Sequence, residues 1–158
     1  MTAQLIDGKK IAAALRARVG AGAAKLKEKG IAPGLAVVLV GEDPASAVYV
    51  RNKGRAAREA GLASFEHRLP ATASETDLLA LVRTLNEDDR VDGVLVQMPL
   101  PAAINAHRVI NAIDPEKDVD GLTETSAGRL MAGAAGLVPC TPQGCVILLK
   151  TVRPDLSG

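Results

Sequence analysis

Residues 35–40 read Leu-Ala-Val-Val-Leu-Val, an unbroken apolar run closed by Gly41. A strand with one wet face alternates polar and apolar residues, whereas a continuous run fits a strand covered on both faces. A second such run, Gly93-Val-Leu-Val-Gln-Met98, lies further along. Residues 64–69 read as a weaker strand between them. The intervening stretches have helical signals. Residues 44–60 run from Pro44 to a stop at Gly61, and 75–87 follow Ser74, with Asp77 placed to complete a capping box. Strands and helices that alternate at this spacing predict a parallel sheet with helices on both faces. The expected fold is α/β, a three-layer α/β/α lobe with a mostly parallel sheet.

The flanks complete the pattern. Asp7 can cap a helix that runs to about Lys29, with Ile11, Leu15, Val19 and Leu26 on one face and Gly30 as its stop. A short helix is expected over 103–112. Past Asp120 the alternation ends. A helix over 123–131, a loop over 132–140, and a helix from Thr141-Pro142 to about Val152 are predicted, with proline at the first helical position. These last segments read as an arm rather than a sheet layer, so 1–120 forms the lobe and 121–158 the helical arm.

Composition removes several function classes. The chain has 158 residues, with 19 Lys+Arg against 18 Asp+Glu. A net charge this close to zero gives no electrostatic case for nucleic acid or an acidic membrane surface. Aromatic residues are 1%, with Tyr49 and Phe65 the whole set, too few for a base-stacking platform. No apolar run approaches the roughly 18 residues that span a bilayer, and the first residues lack the pattern of a signal peptide. Cys140 and Cys145 make neither a disulfide framework nor a zinc site of usual spacing. The expectation is a cytoplasmic chain with reduced thiols and no metal.

In open α/β sheets ligands bind beyond the carboxyl ends of the strands. Three segments fall there: the loop and helix after Val40, the residues after Val96, and the stretch 114–121. Tyr49 and Lys53 are four apart and share a helix face. A lysine desolvated beside an aromatic ring can serve as a general acid or base near neutrality, and a solvated lysine beside a half-buried tyrosine has the same spacing. Gln97 is polar within an apolar strand, so backbone, water, ligand or another side chain must satisfy it. Asp118 and Asp120 form an acidic pair without a nearby third ligand. Asp120-Gly121 is also a turn signal. His67 and His107 lack triad-like neighbours and read as structural or solvent-facing. Cys140 precedes a helix start, where a thiol pKa can fall, and its surroundings suggest a small core residue.

Together, Val40-Gly-Glu-Asp-Pro-Ala-Ser46, Tyr49-Val-Arg-Asn-Lys53, Val96-Gln-Met-Pro-Leu-Pro101, Asp114-Pro-Glu-Lys-Asp-Val-Asp-Gly121 and Pro139-Cys-Thr-Pro142 resemble one family closely. It is the bifunctional methylenetetrahydrofolate dehydrogenase/methenyltetrahydrofolate cyclohydrolase family. The motifs occur in the family's order and extend over essentially the whole chain. The segment 121–128 departs from the family's more familiar phenylalanine-histidine-proline form. The resemblance implies an amino-terminal folate lobe. It also implies a Rossmann lobe that binds NADP, with Gly158 falling about where the first Rossmann strand would begin. The Gly-Arg-Ser type of loop that would hold the cofactor is not in this sequence, so no cofactor-binding residue is expected within it.

The resemblance also implies roles. Lys53 handles protons in hydrolysis of the methenyl cation, and Gln97 holds its amine. Tyr49 packs against the folate ring, and Asp120 accepts hydrogen bonds from the pterin edge. The implied partners are tetrahydrofolate derivatives, with a homodimer expected for the intact protein. The alternative is a non-catalytic folate-binding module or an interaction fragment.

Overall fold

A computed structural model describes residues 5–157. The elements are α1 (Gly8–Lys27), β1 (Gly34–Val40), α2 (Pro44–Glu59), β2 (Ala63–Leu69), α3 (Glu75–Glu87), β3 (Gly93–Val96), α4 (Ala106–Ile110), α5 (Glu124–Met131) and α6 (Cys140–Lys150). Most helix starts are set by local chemistry. Asp7, Asp43, Ser74, Asn105 and Thr123 each accept a backbone N–H of the first turn, which satisfies a donor that the helix itself leaves unpaired.

The strands form one parallel sheet in the order β2-β1-β3. β1 is central, which explains its apolar sequence. Ala36, Val38 and Val40 pack on one face with Leu78, Val82 and Leu85 of α3 and Val109 of α4. Val37 and Leu39 pack on the other with Leu95 of β3 and Val50 of α2. The sheet is therefore covered by helices on both sides, as expected for a three-layer lobe. The edge strand β2 is only half-buried and correspondingly mixed in polarity.

Some expectations are corrected. The stripe on α1 is not core: Leu15, Val19 and Leu26 are 38%, 46% and 39% exposed, and Ala23 is the buried residue. The helix meets the lobe through small side chains instead. A Cβ on Gly20 would lie 3.6 Å from the Ala60 carbonyl oxygen, and one on Gly61 would lie 3.8 Å from the Ala23 Cβ. β3 ends at Val96, before Gln97, and α4 is shorter than predicted. α6 begins at Cys140 with Pro139 at its cap, so Pro142 is the third helical residue rather than the first. A first-turn N–H has no partner in the helix, so proline is tolerated at either place.

One strut holds the last sheet edge. The Val94 N–H donates to the Lys117 carbonyl (2.7 Å), and Asp118 makes a parallel bridge to Val94. The Lys117 ammonium donates to the carbonyls of Leu85, Asn86 and Asp88 at 3.3, 2.7 and 3.0 Å. Those of Leu85 and Asn86 are orphan acceptors at the end of α3, where a cation also suits the helix dipole. The strut fixes residues 118–121 beside the carboxyl end of β3.

Candidate functional site

The carboxyl ends of β1 and β3 bring α2 and the residues after Val96 together. Lys53 projects from α2, and its Nζ donates to Gln97 Oε1 at 3.4 Å. The Gln97 backbone N–H still donates to the Val38 carbonyl (2.8 Å), so the residue remains pinned to the sheet after the strand has ended. Its Nε2 donates to the Met98 carbonyl at 2.8 Å, next to a cis Met98–Pro99 bond. Both a backbone group and a side chain thus satisfy the amide, and its oxygen is oriented toward the lysine.

Asp120 lies on the wall opposite. Lys53, Asp120, Leu122, Pro139 and Cys140 line a cavity of about 380 Å³. Burial pushes the Asp120 carboxyl above the usual carboxylate range; Lys53 pulls it back and Asp118 adds to the rise. Burial also pushes the Cys140 thiol up, and Asp120 reinforces the rise while Lys53 opposes it. The three side chains therefore share one electrostatic environment.

Asp118 plays a different part. Buried, it accepts the Thr123 backbone N–H at 2.8 Å. Burial raises its pKa, but bonds from Thr123, Ser126 and Leu122 outweigh that, and the net shift is downward. The Gly121 N–H donates to the Asp118 carbonyl (3.1 Å), closing the expected turn. Gly121 is required there twice over. Its φ is +64°, and a Cβ would stand 2.7 Å from the Pro139 nitrogen and the Val138 carbonyl carbon. That contact brings Pro139 and Cys140 over Asp120.

Tyr49 is 62% exposed. With Arg16, Asn52, Lys53 and Arg55 it lines a second cavity of about 400 Å³, and Lys53 lines both. The expected half-buried ring is therefore a surface wall instead. Cys140 is also corrected, because it is exposed, its Sγ donates to the Val119 carbonyl at 3.3 Å, and it belongs to the site rather than the core. Together with Leu122 and Pro139, it is a site residue that local reasoning missed. The signal was the Pro139-Cys-Thr-Pro142 stretch, whose placement over Asp120 is a tertiary fact. His107 forms an exposed pair with Glu124 at 2.9 Å, in keeping with a solvent-facing histidine. His67 is half-buried in β2 opposite Val38.

The described residues do not fit a dinucleotide. A pyrophosphate needs free N–H groups at a helix N-terminus after a strand. At α2 the Asp43 carboxylate already accepts the Ser46 N–H at 2.7 Å, and at α3 Ser74 and Asp77 satisfy each other. Among the described residues no group of three or more His, Cys, Asp or Glu gathers, and no helix is long and apolar enough to cross a membrane.

A parallel α/β lobe with a paired lysine and amide near the strand ends, and a half-buried carboxylate on the same cavity, is the class of fold that places small-molecule sites at the edge of a wound sheet. Its family follows from comparison with known proteins. The family described as "Tetrahydrofolate dehydrogenase/cyclohydrolase, catalytic domain" matches residues 6–120. The chain is 64% identical over 157 residues to Bifunctional protein FolD 3 of Rhizorhabdus wittichii, covering 99% of this chain and 52% of that protein. It also resembles a solved FolD methylenetetrahydrofolate dehydrogenase/cyclohydrolase from Campylobacter jejuni, with a TM-score of 0.96 and 42% identity over 98% of this chain and 55% of that one. A third relative is the Trypanosoma brucei FolD complexed with NADP cofactor and inhibitor, with a TM-score of 0.90, 33% identity, and coverage of 98% and 54%. The chain belongs to the tetrahydrofolate dehydrogenase/cyclohydrolase family. It spans about half the length of the curated relatives it matches.

Proposed function

We propose that this chain forms the folate site of a methylenetetrahydrofolate dehydrogenase/methenyltetrahydrofolate cyclohydrolase, with residues 1–120 as the folate lobe and 121–158 as a connecting arm. The observation that carries the reading is the Lys53–Gln97 pair at the strand ends, facing Asp120 across one cavity.

The chemistry of hydrolysis suits that pair. Water adds to the electrophilic carbon of the methenyl cation, and a neutral Lys53 amine takes its proton. A ring carbon–nitrogen bond then breaks, the departing nitrogen receives a proton, and formyltetrahydrofolate results. Gln97 Oε1 accepts one amine N–H and so aims the nitrogen lone pair. Asp120 accepts from the amino and ring N–H groups of the pterin, a pairing that carboxylates suit. Tyr49 stacks against the middle of the folate.

In this reading NADP supplies the hydride acceptor for the dehydrogenase step and is held mainly by residues other than the acid-capped helix starts described above. No metal takes part. The intact protein works in the cytoplasm as a homodimer.

Methenyltetrahydrofolate hydrolysis, followed by absorbance, tests the assignment. Lys53→Met should lower the rate by about 100-fold or more, as expected for loss of a general base. Folate binding should stay within a few-fold. Undiminished hydrolysis by the variant would remove Lys53 from the mechanism.

A further inference from the structure

Asp120 stands on a short strap, residues 117–121, and two residues outside the cavity hold that strap against the sheet. The first is Lys117. An ammonium has three N–H donors, and three carbonyls meet them here, those of Leu85, Asn86 and Asp88 at 3.3, 2.7 and 3.0 Å. No donor is left for a ligand, and Lys117 does not line the cavity that Asp120 shares with Lys53. Its own carbonyl accepts the N–H groups of Val94 at 2.7 Å and Val119 at 2.9 Å. Side chain and backbone together tie the strap to the end of α3 and to β3. The second is Gly93, the first residue of β3. A Cβ there would stand 2.4 Å from Val119 Cγ1. The missing side chain leaves a notch for Val119, which packs against the cluster of Val37, Leu39, Val50 and Leu95. Valine is stiff at its one side-chain torsion, so filling the notch pushes on the strap. Beyond them, buried Asp118 accepts the Thr123 N–H, and Gly121 is closed against Pro139. Asp120 lies between these holds.

We infer that Lys117 and Gly93 are positioning residues for the Asp120 carboxylate, a role that rests on the folate reading above, in which Asp120 accepts the pterin donors. They set where the carboxylate stands and hence how tightly the site holds its ligand, without touching the ligand themselves. Paired hydrogen bonds to a flat ring edge weaken steeply with distance and angle, so a shift of the strap by about 1 Å weakens both. Control of the contact therefore sits at the end of α3 and the start of β3, away from the cavity.

Equilibrium binding of 5-formyltetrahydrofolate to the chain tests the inference as a double-mutant cycle. Lys117→Met keeps a long side chain and removes its donors. It should weaken binding by about three- to tenfold alone and by less than about twofold beside Asp120→Ala, the coupling expected when one residue acts through another. Lys117→Arg, which returns a charged donor, should recover part of the loss. Gly93→Ala should weaken binding to a similar degree. Gly93→Ala with Val119→Ala reopens the notch and should restore it, and this pair carries the test if Lys117→Met does not fold. Ser74→Ala lowers the urea midpoint from the other end of α3 and should leave affinity unchanged. Equal losses from Lys117→Met with and without Asp120 would overturn the inference, as would native affinity in both Lys117→Met and Gly93→Ala. An equal loss from Ser74→Ala would make stability, not position, the cause and overturn it too. Any of these results, with Asp120→Ala still weakening the probe, would leave the folate reading intact. Unchanged affinity in Asp120→Ala would overturn the pterin contact and the positioning role with it.

Discussion

Asp118 and Asp120 stand on one short turn and respond to protons in opposite directions. Hydrogen bonds outweigh burial at Asp118 and hold its folded pKa below the unfolded value of 3.8. Its ionised form therefore stabilises the fold above about pH 4, and this contribution is lost as pH falls through the folded value. Asp118→Ala leaves the Thr123 N–H unpaired in a buried place, and should cost about 1–3 kcal/mol at pH 7. Burial dominates at Asp120 and raises its folded pKa above 3.8. The folded state then holds that proton more tightly than the unfolded chain does, so ionisation at neutral pH opposes folding. Asp120→Asn should raise the urea midpoint at pH 7, with the gain fading as pH falls toward the unfolded value. On the proposed folate assignment, the same variant should weaken folate binding by about tenfold or more, because the pterin donors would lose a charged acceptor. Urea unfolding at two pH values and a folate titration check both residues. A residue whose ionisation opposes folding is the kind of position expected at a functional site.

At the scale of elements, local chemistry explains most of what the sequence made readable. α3 starts where Ser74 Oγ accepts the Asp77 N–H at 3.1 Å and Asp77 Oδ2 accepts the Ser74 N–H at 3.2 Å. Ser74→Ala removes one of those acceptors and should destabilise the chain by about 1 kcal/mol, read from its urea midpoint. Such caps act within four residues, so the starts after Asp7 and Ser74 were legible from the sequence, whereas the Asp43 cap of α2 was seen only in the structure. α6 was not: its cap, Pro139, makes no side-chain hydrogen bond, and proline fits several first-turn positions equally well. The α1 stripe was misleading for a different reason. Periodicity identifies an apolar face, but it does not say whether a neighbour covers it. Here Ala23 is the residue buried, while Leu15 and Leu26 stay partly exposed.

The whole molecule exposes 10212 Å², against about 7,500 Å² for a compact chain of this mass. α6 contributes no buried residue, and Met131 is 89% exposed, so the lobe is dense around the sheet and open along its later helices. The site nevertheless depends on one of those later segments. Gly121 meets Val138 and Pro139 at a distance no Cβ tolerates, and that contact sets Cys140 over Asp120. Gly121→Ala should cost about 2 kcal/mol or more, because it adds a left-handed conformation to a clash with backbone. It should also weaken folate binding by moving the cavity wall. Urea unfolding and the same folate titration separate the two effects. What the sequence determined alone was the central buried strand, the parallel α/β alternation and the capped helix starts. Those rest on patterns a few residues long, where backbone geometry and hydropathy act directly. Only the tertiary structure decided that Lys53 meets Gln97, that Asp120 rather than Asp118 faces the cavity, and that Cys140 leaves the core for the site. Those outcomes depend on contacts between residues far apart in the chain, whose energies no local pattern encodes.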